Sequence, residues 1–367
     1  MENRAIFQPQ PAVFVVRDTY QIMIYTKTPS VMWVQVGDAC YYDDSNGILC
    51  SNNLVHRVIV PMAKLDVCKE YTVCRRILFE RKTGYSETGE VEKATFVFRP
   101  VCGDDIRAYH IADSHNWVDG PVNAARAYGS IDFLIMNGDI PDHGAKLENY
   151  ATIYEIAFAI TKGEIPIVFS RGNHEMRGAY AEHFGQFSPT DHGNSYYTFR
   201  LGNVWGIILD CGEDKADEHP ENGNVFCCHA FRLRQTEFIK DVIKHAETEY
   251  QGAGVFHKLV ICHCPFTVKE EGQFDIENEL YTEWVDLLRE YIKPDLIISG
   301  HLHKFDIYRP GEAKDNRNQP CPVVIGAFLQ WPRKNFGGSG FTFGKEGIDI
   351  VFTDMNGEIR KEERERK

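Results

Sequence analysis

Five apolar runs in the carboxyl-terminal two-thirds of the chain stop in the same way, on oxygen- or nitrogen-bearing side chains. Arg107-Ala-Tyr-His-Ile-Ala112 ends in Asp113-Ser114-His115, and Ile131-Asp-Phe-Leu-Ile-Met136 ends in Asn137-Gly138-Asp139. Pro166-Ile-Val-Phe169 leads through Ser170-Arg171-Gly172 to Asn173-His174-Glu175. Lys258-Leu-Val-Ile-Cys262 ends in His263, and Asp295-Leu-Ile-Ile-Ser299 ends in Gly300-His301-Leu302-His303. Short apolar runs bounded by turn residues read as buried strands, and open α/β sheets place their ligands beyond the carboxyl ends of such strands. A strand-end histidine or aspartate taken singly is an ordinary cap or turn residue. Five together define a constellation.

Between these runs the pattern is helical. Lys146 to Lys162 carries apolar residues at Leu147, Tyr150, Ile153, Tyr154, Ala157 and Ile160, the spacing of one buried helix face, and Phe231 to Glu249 is similar. Ser195 to Asp210 reads as a hairpin turning at Gly202-Asn203, and acidic Gly212 to Asn224 as a surface loop. Val323 to Phe328 and Gly347 to Thr353 supply closing strands, and Arg360 to Lys367 reads as a solvated charged tail. Strand, loop and helix in alternation predict a layered α/β domain over 101–367.

The first hundred residues follow a different grammar. Ala12–Val16, Gln21–Tyr25, Val31–Val36, Val55–Val60, Glu70–Leu78 and Ala94–Phe98 are short β-type runs separated by turn signals, which predicts a small all-β sandwich over 1–100. Leu65 to Tyr71 resembles the stretch before the corner tyrosine of fibronectin type III modules; the other reading of Tyr71 is an ordinary strand aromatic.

A chain of 367 residues is long for one core, which fits two domains. The net charge of −13 argues against a nucleic-acid polymer or an anionic membrane as partner, since both require a basic face. No apolar stretch reaches a membrane-spanning length, and Met1 to Phe7 lacks the apolar core of a signal peptide, so the expected location is cytoplasmic. The 11 cysteines, an odd number lying mostly in strand-like segments, read as thiols of a reducing compartment.

The donors are carboxylate, amide and imidazole, which suit Mn, Fe, Zn or Ni without any thiolate. In order and spacing, Asp113-Ser-His115, Gly138-Asp139, Gly172-Asn-His-Glu175, Val260-Ile-Cys-His263 and Gly300-His-Leu-His303 resemble the five motifs of the calcineurin-like metallophosphoesterase superfamily, over Ile106 to Asp354. The resemblance implies a four-layer αββα sandwich with two metal ions at the strand ends. It implies Asp113, His115, Asp139 and His303 on one ion, and Asp139, Asn173, His263 and His301 on the other, with Asp139 bridging. In that family a bridging hydroxide attacks phosphorus, and the residue matching His174 assists the leaving oxygen. Asp142 matches the carboxylate that orients this histidine in the protein serine/threonine phosphatase branch, whose Arg-Gly-Asn-His-Glu recurs here with Arg171 and Glu175. His143 stands where that branch has a phosphate-binding arginine.

A fibronectin-like region ahead of the phosphoesterase domain resembles purple acid phosphatases. Here, however, His115 and Asp142 replace the glycine and the tyrosine ligand of that pattern, so no purple charge-transfer band and a neutral pH optimum are expected. The substrate expected is a small-molecule phosphate ester, with Asn116, His143 and Arg171 as candidate substrate contacts. The alternatives are a cyclic-nucleotide or nucleotidyl phosphodiesterase, and, in another class, a scaffold that keeps the fold without catalysis. Retention of every ligand position and of His174 speaks against the scaffold.

Overall fold

The computed structural model describes residues 7–45, 47–269 and 271–366. The leading segment, except for Phe7, and the last residue of the charged tail therefore lie outside the described residues.

Two sheets face one another. In the first, Ile106–Ile111, Phe133–Asn137 and Ile167–Ser170 run parallel, flanked by antiparallel Asn335–Gly344, Gly347–Asp354 and Ile359–Arg366. In the second, Val204–Ile208, His257–Ile261, Leu296–Ser299 and the first half of Val323–Gln330 run parallel, with Tyr197–Leu201 and Lys304–Tyr308 antiparallel to their neighbours. Val323–Gln330 then leaves the second sheet, and its end pairs with Asn335–Gly344 of the first, joining the two.

Strand alternation explains the layers. Ala108, Phe133, Ile135 and Val168 of the first sheet meet Val204, Ile208, Leu259, Ile261 and Ile298 of the second in a common core. The outward-facing set Tyr109, Ile111, Leu134, Met136 and Phe169 packs on the helices Asp119–Tyr128 and Leu147–Thr161. On the far side, Ile207, Val260, Cys262 and Ile297 pack beneath Cys228–Lys244 and Asn278–Leu287. Both sheets are thus buried on two faces, which is why their parallel strands read as unbroken apolar runs. No helix among the described residues is long and apolar enough to cross a membrane. All 11 cysteines are free thiols.

The amino-terminal region is all-β apart from one short helix. It does not stand apart from the rest, because Pro11–Val16 pairs in parallel with Ile167–Ser170, Phe14 opposite Ile167. Its core residues Ile22, Val34, Val58 and Tyr71 are continuous with the core between the two sheets. Three expectations change here. The runs Gln21–Tyr25 and Val31–Val36 form one strand, Thr19–Val36, whose pairing with Asn52–Pro61 slips between Tyr25 and Ser30. Pro29 lies inside the slip and has no N–H to give to a ladder. Met62–Cys68 is a helix, ended by Lys69 in the left-handed region, and Tyr71 follows it within the strand Glu70–Arg76, the position of its second reading, an ordinary strand aromatic.

The Tyr71 hydroxyl donates to the Gly163 carbonyl, 2.8 Å away and 92 residues distant in sequence. It therefore ties the amino-terminal region to the turn after Leu147–Thr161. Removing it in Tyr71→Phe leaves a buried carbonyl without its donor. The expected cost is about 1–2 kcal/mol in a denaturant-unfolding measurement; an unchanged midpoint and slope would show that the contact contributes nothing to stability.

The third change is at the carboxyl terminus. Ile359–Arg366 is an antiparallel edge strand and not a solvated tail. Its alternating charges conceal the strand period, but Glu363 and Glu365 pair with Arg309 at 3.2 and 2.6 Å. Charged side chains on an edge also discourage pairing with another chain.

Candidate metal centre

The carboxyl ends of the parallel strands in both sheets converge, and the turns leaving them are strained. Among the described residues, Asp113, His115, Asn116, Asp139, His301 and His303 all have φ between 43° and 67°. That region costs a non-glycine residue on the order of 1 kcal/mol, and such strain collects where side chains must be aimed.

The turns are fastened to one another by their own polar groups. Glu175 is fully buried, and its Oε2 accepts from the N–H groups of Asp139 and Gly172, each at 3.0 Å, while Oε1 accepts from Ile140 at 3.1 Å. This joins the second motif to the third. Both oxygens of Asp113 accept from the His301 N–H, at 3.1 and 3.0 Å, which joins the first motif to the fifth. Asn137 donates to the Ile298 carbonyl across the sheets, and its own carbonyl accepts from His263 Nδ1 at 2.6 Å. The backbones come so close that a Cβ on Gly138 would lie 2.6 Å from Gly172 N, and one on Gly172 would fall on Asp139 Oδ1. Only glycine fits at these two turns.

Three sets of possible ligand atoms result among the described residues, each within 4.8 Å of one another: Asp113, His115 and His303; Asp139, His263 and His301; and, toward the rim, His115, Asp142 and His174. His115 Nε2 lies 3.2 Å from His303 Nε2, and His303 Nε2 lies 3.4 Å from Asp113 Oδ1. His263 Nε2 lies 3.2 Å from Asp139 Oδ2 and 3.7 Å from Asp113 Oδ1, so it spans both carboxylates. Asn173 Oδ1 is buried without a hydrogen-bond partner, and the next residue, His174, reaches Asp139 through its N–H. Buried polar atoms are rarely left so, and an unpartnered oxygen next in sequence to this cluster of carboxylate and imidazole donors fits the demand of a cation.

Electrostatics agree. Burial alone would raise the Asp139 carboxyl, but the charge and hydrogen bond of His263, with His174 and His115 beyond, hold it below the usual carboxylate range. Asp113 is likewise lowered against its burial, by His303 and His263. Burial disfavours charge on His263, yet Asp139 and then Asp113 outweigh it and push that imidazole up to about 10. Glu175 is raised, by burial and then by the charge of Asp139. The centre thus holds two ionised, desolvated carboxylates, which require positive charge beside them.

His174 sits at the rim. Its N–H donates to Asp139 Oδ1 at 2.9 Å, and its ring lies 4.6 Å from that of His115. Its Nδ1 is 2.6 Å from the carbonyl oxygen of Asp142, whereas Asp142 Oδ1 is 3.7 Å away and nearer, at 3.2 Å, to His115 Nδ1. The hydrogen-bonding atom of Asp142 is therefore its backbone oxygen, and its carboxylate borders His115. Asn116 carries a buried, unpartnered Oδ1.

His143 and Arg171 have partners elsewhere. His143 Nδ1 accepts from the Ala145 N–H, and its ring is half exposed. Arg171 Nε lies 2.7 Å from Asp210 Oδ2, with its guanidinium over the Phe231 ring.

The loop read as solvated contributes more than expected. Glu213 is buried and holds Arg177 by two contacts of 2.8 and 2.7 Å, and Asp214 Oδ2 comes within 3.8 Å of His301 Nε2. The signal was present: Val204 to Leu209 is a further apolar run ending in an acid, Asp210, three residues ahead of Glu213.

Comparisons with known proteins agree with this geometry. No curated protein matches the chain. A purple acid phosphatase from yellow lupin (Lupinus luteus) seeds is similar in structure at 12% identity, with a TM-score of 0.58, over 96% of this chain and 73% of that one. The structure of PhoD is similar at 12% identity and a TM-score of 0.54, over 95% of this chain and 87% of its own. A dimetal phosphatase from Danio rerio is similar at 11% identity and a TM-score of 0.50, over 72% of this chain and 99% of its own. At such identities the likeness is one of fold, and its extent in the first two takes in the amino-terminal all-β region. Family models place the calcineurin-like phosphoesterase domain at residues 106–305, more than half of the chain and the span that holds every donor described above, so this protein belongs to the calcineurin-like phosphoesterase family.

Proposed function

We propose that the protein is a dinuclear-metal-dependent hydrolase of small-molecule phosphate esters. The observation that carries this reading is the pair of donor sets at buried Asp113 and Asp139, joined by His263 Nε2, which lies within 3.7 Å of both carboxylates. Asp113, His115 and His303 would hold one ion, and Asn173, His263 and His301 the other, with Asp139 shared. Such ions supply Lewis-acid stabilisation of phosphoryl oxygens and make water acidic enough to serve as a nucleophile near neutral pH.

The chain's own groups do the rest. Fastening through Glu175, Asp113 and Asn137 fixes the donors before substrate arrives, so little reorganisation accompanies charge development. His174 assists the leaving oxygen: the Asp142 carbonyl accepts from Nδ1 and fixes the ring, and Nε2, once it has taken a proton from solvent and parted from Arg177 Nη1, is the nitrogen that gives that proton up at the rim. Asn116 Oδ1 is a candidate contact to a substrate hydroxyl.

A phosphodiester substrate is the second reading. It is favoured by a cavity of about 410 Å³ that begins at His301 and His303 and is lined by Phe266, Phe274 and Tyr281 together with Glu213, Asp214 and Arg317, giving room for an organic substituent. Elemental analysis with a metal-reconstitution series tests both. Close to two ions per chain are expected, with hydrolysis of an aryl phosphate lost on chelation and restored by one or more of Mn, Fe, Zn and Ni. The ratio of aryl monoester to diester turnover separates the two substrates. A chelated protein that hydrolyses both at the original rate would remove the proposal.

A further inference from the structure

We infer that Arg177 is the phosphoryl clamp of this protein, a donor that grips a non-bridging oxygen of phosphate. The inference rests on the phosphoester reading above. Position 143, where a related branch has an arginine for this purpose, is a histidine bonded within its own loop, and Arg171 is engaged by Asp210. A site built to hold a phosphoryl group still needs a directional donor outside its metal ligands.

Arg177 leaves the turn His174–Met176 in an extended conformation, and its side chain returns toward the centre. One edge of the guanidinium is fixed. Nε donates to Glu213 Oε1 at 2.8 Å, and Nη2 donates to Glu213 Oε2 at 2.7 Å and to Asp214 Oδ1 at 3.3 Å. Because Glu213 is itself buried, this edge is anchored with little freedom. The other edge faces the reaction centre, with Nη1 3.2 Å from His174 Nε2.

That contact fits one tautomer of His174. Arginine can only donate, and the Asp142 carbonyl can only accept, so His174 here carries its proton on Nδ1 and offers a lone pair from Nε2. Nη1 bears two hydrogens. One is used by His174, and the second has no partner among the described residues. The side chain remains one-third exposed, between the metal centre and a neighbouring cavity of about 710 Å³ that none of the metal donors lines. His174 Nε2 in turn lies 3.8 Å from Asp139 Oδ2, so the free N–H is one side chain removed from the shared carboxylate. The carboxylates of Glu213 and Asp214 neutralise the charge of Arg177 from the far edge; what the residue supplies is a fixed N–H direction.

The test uses inorganic phosphate as the probe, binding to full-length, metal-loaded protein in calorimetry. In Arg177→Gln the dissociation constant is expected to rise about 10- to 100-fold, the usual effect of losing a hydrogen bond to a charged group. Metal content should be unchanged, and KM for an aryl phosphate should rise by more than kcat falls. Arg177→Lys, which keeps the charge without the fork, should restore less than half of the lost binding energy. If Arg177→Gln fails to fold, phenylglyoxal labelling of the unaltered protein decides: phosphate should protect Arg177 in a mass-spectrometric map. Unchanged phosphate affinity in the Gln variant, equal labelling with and without phosphate, or no phosphate binding by the unaltered protein would each overturn the clamp. Metal-dependent hydrolysis alongside unchanged phosphate affinity in the variant would remove the clamp and leave the hydrolase. Arg177-dependent phosphate binding without hydrolysis of any ester would keep the clamp and remove the hydrolase.

Discussion

Asp139→Asn is expected to lower metal content from about two ions per chain to one or none and to reduce ester hydrolysis about a thousandfold, the upper range for removing one preorganised electrostatic group. The substitution conserves shape, so the predicted loss comes from charge. Asp139 is buried, held ionised by its neighbours, and faces His263 Nε2 at 3.2 Å while its other oxygen accepts from the His174 N–H at 2.9 Å. An amide can keep the second contact through its oxygen but cannot give negative charge to two ions at once. Elemental analysis and turnover on the same preparation check this. Two tightly held ions with undiminished turnover in the variant would show that Asp139 is not the shared ligand.

Much of this centre could be read in the sequence because the residues that form it end buried strands. A run such as Phe133–Asn137 is apolar throughout because both of its faces are covered, so the first polar group after it marks the sheet edge. The five motifs are visible for that reason. Glu175 and Arg171 were attached to the third motif by resemblance, but only the folded chain shows that Glu175 collects three backbone N–H groups from two different turns while Arg171 turns away to Asp210.

What stayed hidden depends on partners distant in sequence. Tyr71 carries no local sign that its hydroxyl reaches Gly163, and Arg177 none that Glu213 will hold it, because neither contact has a periodicity. The alternating charges of Ile359–Arg366 suppressed its strand pattern, since an edge strand with ion-paired side chains buries little apolar surface. Composition showed the loop at 212–224 to be acidic but not that its first carboxylate is buried. An ion pair with an arginine from another motif is what makes burial of Glu213 tolerable.

His174→Ala separates proton transfer from metal binding. His174 shares one cluster of potential ligand atoms with His115 and Asp142, so its geometry alone permits it to be a metal ligand. Both ring nitrogens already have protein partners, the Asp142 carbonyl at Nδ1 and Arg177 at Nε2, which argues against a metal ligand; Nε2 serves the substrate only after it parts from Arg177. The expected result is full metal content with kcat lowered about 10²- to 10⁴-fold, the range for general acid–base groups. The loss should depend on the leaving group. An alkyl phosphate, whose alkoxide needs a proton, should fall by the larger factor, and an aryl phosphate with an acidic phenol by the smaller one. Equal losses across such a series would point to positioning instead of proton transfer. Loss of an ion in the variant would place His174 among the ligands, and Asp142, whose carboxylate lies 3.2 Å from His115 Nδ1, would then be the next residue to substitute.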